Sequence, residues 1–160
     1  MGFNHFDAAG RAWMVDVSAK PLTRRTAVAE SVVRMGEDLL RAVSSGGVAK
    51  GDVLGVARVA GIAAVKRTPE LIPLAHPLAV HHAAVDFATD AGAGLLRITC
   101  TVRAHERTGV EMEAMTGAAV AALAVYDMCK GIDRAVEIAG VRLMRKEGGK
   151  SGVFVREEST

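Results

Sequence analysis

The stretch 108–131, TGVEMEAMTGAAVAALAVYDMCKG, constrains this chain more than any other. Its middle is alanine-rich, with Met115, Ala118, Ala119, Ala122, Val125, Tyr126 and Cys129 recurring at helical spacing. Alanine has the strongest helix propensity, and small side chains let a helix lie close against a sheet or a second helix. Gly131 stands where such a helix would stop, because glycine takes the left-handed conformation without steric cost. Four charged groups, Glu111, Glu113, Asp127 and Lys130, are confined to the two ends. A merely solvated helix would spread its charges along one face.

Asp127 and Lys130 are three positions apart, so they share a face and can meet as acid and base. Glu113 points in a similar direction to Asp127, but a continuous helix separates the two by roughly 21 Å. Either the two ends serve different purposes, or two copies of the helix meet at one site. Were 109–113 extended, Glu111 and Glu113 would project to the same side. The plainer account is that both glutamates favour the positive end of the helix dipole and that Asp127 with Lys130 is a surface ion pair.

A chain of 160 residues is long enough for one domain with a substantial core. We read 1–160 as a single domain, with 1–11 a loose arm and 147–160 a partly mobile tail. With 50% hydrophobic residues but only 4% aromatic, the core must be built from Val, Ala, Leu, Ile and Met. A formal charge of +2 is too small to imply nucleic acid, although local basic clusters can still hold phosphates. Cys100 and Cys129 lie in apolar patterns without CxxC spacing, as buried thiols of a reducing compartment would. No signal-peptide pattern and no charge-free apolar span is present, so the expectation is a cytoplasmic protein with no membrane partner.

Along the chain, 12–17 is a short strand candidate, and 23–34 reads as either strand or helix, its β-branched residues favouring a strand. A short helix is expected within 36–45. A second, capped by Asp52, should run to about Lys66; it is apolar nearly all round, with Arg58 its only interior charge. Such a helix needs cover on more than one side. Three of the four prolines fall in 66–78, where Thr68-Pro69 opens a single turn and His76 sits in a rigid loop. Segments 79–89 and 95–105 alternate as a hairpin around DAGAG, and 135–144 is a further strand with a bulge expected at Gly140. The order strand, helix, strand, strand, helix, strand is that of an α+β, ferredoxin-like split βαβ sandwich, with an antiparallel sheet, two main helices, an extra N-terminal strand and a short helix.

The residues rule out one other chemistry and disfavour two more. GGKS at 148–151 resembles the end of a phosphate loop, but Met144 stands where the motif needs its first glycine. His76, His81, His82, Glu111 and Glu113 match no standard zinc spacing. A nucleic-acid-binding sandwich needs exposed strand aromatics, and the hairpin has only Phe87.

Four motifs, MVDVSAKP (14–21), ARVAGIAAVKRTPELIPLAHPL (57–78), TGVEMEAMTGAAVAALAVYDMCK (108–130) and VRLMRKEGGKSG (141–152), carry a resemblance over almost the whole chain. Together they resemble the cyclic pyranopterin monophosphate synthases, the molybdenum cofactor biosynthesis protein C family. The resemblance implies a ferredoxin-like fold in a homohexamer built as a trimer of dimers. It implies conversion of (8S)-3',8-cyclo-7,8-dihydroguanosine 5'-triphosphate to cyclic pyranopterin monophosphate plus diphosphate, and no metal or organic cofactor. By motif, Asp127 and Lys130 are the implied acid–base pair, and Lys50 is similar to an active-site lysine. Leu74, Ala75 and His76 match one substrate-binding segment, Met112 and Glu113 a second, and Glu111 a functional glutamate. Lys146 and Lys150 match basic residues near the phosphates, as does Arg25. Ala75 departs from the Cys or Ser common in the family, which removes a side-chain role there and leaves backbone contacts. His81 and His82 lie outside the pattern.

That chemistry suits these residues. Ring opening, ring closure and attack on phosphorus each move protons, and a triphosphate with a diphosphate leaving group calls for Lys and Arg. A non-catalytic nucleotide-phosphate-binding module of the same fold is the alternative. From the length of the 108–131 helix and the apolar girth of the helix after Asp52, we expect the site to be shared between subunits.

Overall fold

Period-two alternation builds the sheet on which the rest of the fold lies. The computed structural model describes residues 9–48 and 50–157. Strands β1 (Thr23–Arg34) and β3 (Leu95–Glu106) pair antiparallel, with Ala29 opposite Cys100. Their shared face buries Ala27, Ala29, Val33, Leu96, Ile98, Cys100 and Val102. β2 (Val80–Asp90) flanks β3, β4 (Glu137–Glu147) flanks β1, and the two-residue β5 (Phe154–Val155) closes the far edge. The order is β2-β3-β1-β4-β5, antiparallel throughout. Helices α1 (Glu37–Ser45), α2 (Val53–Val65) and α3 (Thr68–Leu71) lie between β1 and β2, and α4 (Glu111–Cys129) joins β3 to β4. This is the expected α+β, ferredoxin-like arrangement, extended by a C-terminal edge strand.

Local chemistry sets the helix ends. Gly46, at φ 74°, closes α1 in the left-handed conformation, and the Asp52 carboxylate accepts the Gly55 N–H at 2.8 Å to start α2. Thr68 is not the cap of α3. Its hydroxyl is fully buried and donates to the carbonyls of Ala64 and Val65, tying α3 to the end of α2. Where α2 crosses α4, two glycines allow the contact: a Cβ on Gly117 would lie 2.7 Å from Val65 Cγ2, and one on Gly61 would lie 2.9 Å from the Gly117 carbonyl. By length and apolarity α4 could suit a bilayer, but its apolar residues are spent on the sheet and α2, with Ala114, Ala118, Ala121, Ala122 and Val125 fully buried. The outer side of the helical layer is uncovered. Val56 and Val59 of α2 are 47% and 69% exposed, and Leu123 of α4 is 56% exposed.

The structure departs from the sequence reading at further positions, among them Gly131, which is not in the left-handed conformation. Segment 12–17 is not a strand; Ala12 alone forms a bridge. Its backbone groups go elsewhere: the Val15 carbonyl binds the His76 ring, and the Val17 carbonyl closes a turn with Lys20 N–H. β4 carries two bulges, one between Ile138 and Gly140, beside the expected position, and one between Leu143 and Arg145. Glu111 already lies in α4, so Glu111 and Glu113 do not share a side as they would on an extended chain. Residues 148–151 form a turn followed by β5, with no helix to complete a phosphate loop. Residues 1–8 of the expected arm and 158–160 of the expected tail lie outside the described residues.

Candidate functional site

The first turn of α4 forms the floor of a cavity of about 420 Å³, lined also by Val15, Val17, Lys20, Leu74, Ala75, His76 and Leu78. Glu111, Met112 and Glu113 all reach it. Glu113 turns inward and is only 3% exposed. Burial pushes its carboxyl up to about 7, opposed by its own backbone N–H and assisted by the neighbouring Glu111 charge. His76 stands in the loop between α3 and β2, as expected, with Nε2 2.7 Å from the Val15 carbonyl. A carbonyl can only accept, so Nε2 carries the hydrogen and Nδ1 is the ring's remaining polar atom. Ala75 is held through its backbone, whose N–H donates to the Ile72 carbonyl at 3.0 Å.

A second cavity, of about 670 Å³, adjoins the first and shares Lys20, Thr108, Gly109 and Glu111 with it. Its walls carry Lys20, Arg25, Arg107, Lys146 and Lys150, with Thr23 and the 148–151 turn. Arg25 is 8% exposed and braced at the rim, Nε donating to the Glu106 carbonyl at 3.1 Å and Nη2 to the Arg107 carbonyl at 3.0 Å. Arg107 in turn donates through Nη1 to the Ser18 carbonyl at 2.7 Å and to the Lys20 carbonyl, fixing the turn that presents Lys20. Lys146 donates to the Ser151 hydroxyl. Gly149, at φ 73°, passes so close to Arg25 that a Cβ there would meet Nη1 at 1.9 Å. Five cations against Glu111 give this cavity a strongly positive lining.

At the other end of α4, Lys130 Nζ lies 2.5 Å from Asp127 Oδ1. Lys50 Nζ donates to the Asp127 carbonyl at 3.0 Å. The Lys130 hydrogen bond and charge, with a smaller contribution from Lys50, hold the Asp127 carboxyl below the usual range, and Asp127 raises Lys130 in return. All three groups face solvent. Since α4 is one unbroken helix, about 21 Å of rise separates Glu113 from Asp127.

The structure thus gathers Leu74, Ala75, His76, Glu111, Met112, Glu113, Arg25, Lys146 and Lys150 along one groove. It sets Lys50, Asp127 and Lys130 together elsewhere on the same chain. Sequence reasoning missed Lys20, Arg107 and Thr23. Lys20 lies inside the 14–21 motif but reads as the end of a segment before a proline, and nothing local marks Arg107. Among the described residues no three His, Cys, Asp or Glu side chains converge as metal ligands would.

Fold and groove define a ferredoxin-like α+β protein with a cation-lined cavity adjoining one that holds His76, Glu111 and Glu113. The chain belongs to the MoaC family, which it matches over residues 14–149. It is 65% identical over 158 residues to the cyclic pyranopterin monophosphate synthase of Pelobacter propionicus, covering 99% of each chain. It is 64% identical over 158 residues to the enzyme of that name from Geobacter sulfurreducens, again covering 99% of each. With the one from Chloroflexus aggregans it shares 54% identity over 156 residues, covering 98% of this chain and 94% of the relative.

Proposed function

We propose that this chain is a cyclic pyranopterin monophosphate synthase, a lyase of molybdenum cofactor biosynthesis. It converts (8S)-3',8-cyclo-7,8-dihydroguanosine 5'-triphosphate to cyclic pyranopterin monophosphate and diphosphate. One observation carries the reading: a cavity lined by Lys20, Arg25, Arg107, Lys146 and Lys150 opens into one holding His76, Glu111 and Glu113. A nucleotide-derived triphosphate has the same division, a polyanionic tail and a heterocycle whose protons must move. The lysines and arginines offset the charge of the triphosphate and of the departing diphosphate. The buried Glu113, its carboxyl pushed up to about 7, holds or releases protons at the heterocycle, with His76 lining the same cavity.

Asp127, kept ionised beside Lys130, serves as base, and the protonated Lys130 serves as the acid beside it, with Lys50 adding positive charge. For these groups to reach the groove the site must be completed by a second subunit. The uncovered Val56, Val59 and Leu123 supply an apolar face of the kind a two-fold contact buries. The assembly is a homohexamer, a trimer of dimers, working in the cytoplasm; the two unpaired buried cysteines suit a reducing compartment. Incubating the purified chain with the cyclised dihydro-GTP tests the function. Release of stoichiometric diphosphate and cyclic pyranopterin monophosphate is expected. Tight binding without turnover would leave a phosphate-binding module in its place.

A further inference from the structure

Thr23 Oγ1 is, among the described residues, the buried side-chain polar atom with no hydrogen-bond partner. Burying a hydroxyl without a partner costs free energy, and folded proteins leave few such groups. Thr23 opens β1, two residues before Arg25, so the two side chains leave the same face of the strand. Both line the 670 Å³ cavity, together with Lys20, Arg107, Lys146 and Lys150. The cations around it are the groups that would draw a phosphate there.

From this we infer that Thr23 is a substrate-binding residue, its hydroxyl donating to a phosphate oxygen of the triphosphate tail. The inference rests on the reading of the groove given above and adds to it a neutral donor among the cations. Lysine and arginine supply charge, which any anion of the right valence satisfies. A short hydroxyl fixed at the start of a strand selects one oxygen position, and so sets the register of the phosphate chain along the groove. Only the donor carries the argument, because the phosphate oxygen is an acceptor and the threonine methyl has nothing to give it.

Three measurements test it on the full chain: binding of inorganic diphosphate by calorimetry, steady-state turnover of the cyclised triphosphate, and thermal unfolding. Thr23→Val keeps the shape and removes the donor. It should unfold at the wild-type temperature, bind diphosphate about tenfold more weakly and raise KM by a similar factor with kcat little changed. Thr23→Ser, which keeps the donor, should stay near wild type in all three. Wild-type diphosphate affinity in Thr23→Val would overturn the inference. Equal losses in Val and Ser would also overturn it, because Ser retains the donor on which the inference rests. A Thr23→Val chain that fails to fold would mean the hydroxyl holds the fold, and would overturn it as well. If the wild-type chain neither binds diphosphate nor turns over the triphosphate, the functional reading falls first and takes this inference with it.

Discussion

If the site is composite, two inactive chains can repair each other. Asp127→Asn disables the exposed acid–base pair, and His76→Ala disables the groove some 21 Å along α4. Each variant alone should retain about 1% of wild-type turnover or less, the usual cost of removing an acid–base group. Suppose the two are unfolded together in equal amounts and refolded. About half of the two-fold dimers are then mixed, and each mixed dimer holds one doubly damaged and one wholly intact site. Restored activity should therefore approach about a quarter of wild type, more than twentyfold above either parent, since the intact site draws its Asp127 and its His76 from different chains. Affinity tags of two kinds, or native mass spectrometry, would establish that mixed oligomers formed. If they form and turnover stays at the parental background, Asp127 and His76 serve one chain's site, and the argument from helix length is refuted.

Three further outcomes are expected. Asp127→Asn and Lys130→Ala should each lower kcat by about 10²–10⁴-fold with unchanged circular dichroism, and the double variant should be little worse, because the two act as one unit. Glu113 is shifted from 4.5 up to about 7 by burial, so between those values the folded state binds more protons than the unfolded one. Stability to denaturant should fall as pH rises through that window, by at most about 3 kcal/mol, then level off, and Glu113→Gln should flatten the slope. Gly117→Ala would put a Cβ 2.6 Å from Cys100 Sγ and 2.7 Å from Val65 Cγ2, where neither neighbour can retreat from the core. Overpacking of that kind should cost about 1–3 kcal/mol in thermal or denaturant unfolding.

Those expectations divide between what neighbouring residues dictate and what only the folded chain assembles. The extents of β1, β3, α2 and α4 were legible because strand and helix periods are written over a few consecutive residues, as in the alternation that buries Leu96, Ile98, Cys100 and Val102. Element order then led to the ferredoxin-like arrangement through the rules that restrict how strands connect. The Asp127–Lys130 pair could be read for the same local reason, since three helical positions place two side chains on one face. Segment 12–17 misled because its valines look like a strand, whereas its carbonyl at Val15 is taken by a histidine 61 positions away.

The groove itself lay beyond local pattern. Arg107 meets Ser18 and Lys20 across 89 and 87 positions, and Arg25 meets Glu106 across 81. No spacing along the chain encodes such meetings, because they depend on how the β1–β3 register returns distant segments to one end of the sheet. The environment of Glu113 is decided the same way. On the helix alone it is an acid at a favourable terminus; in the fold it shares a cavity lining with His76, Val15 and Val17, and removal from water is what moves its proton toward neutral pH. Sequence by itself determined the elements and the charges each one carries, because those follow from backbone geometry between near neighbours. Tertiary structure alone decided which charges face one another and which lose contact with water, because both depend on the path of the whole chain.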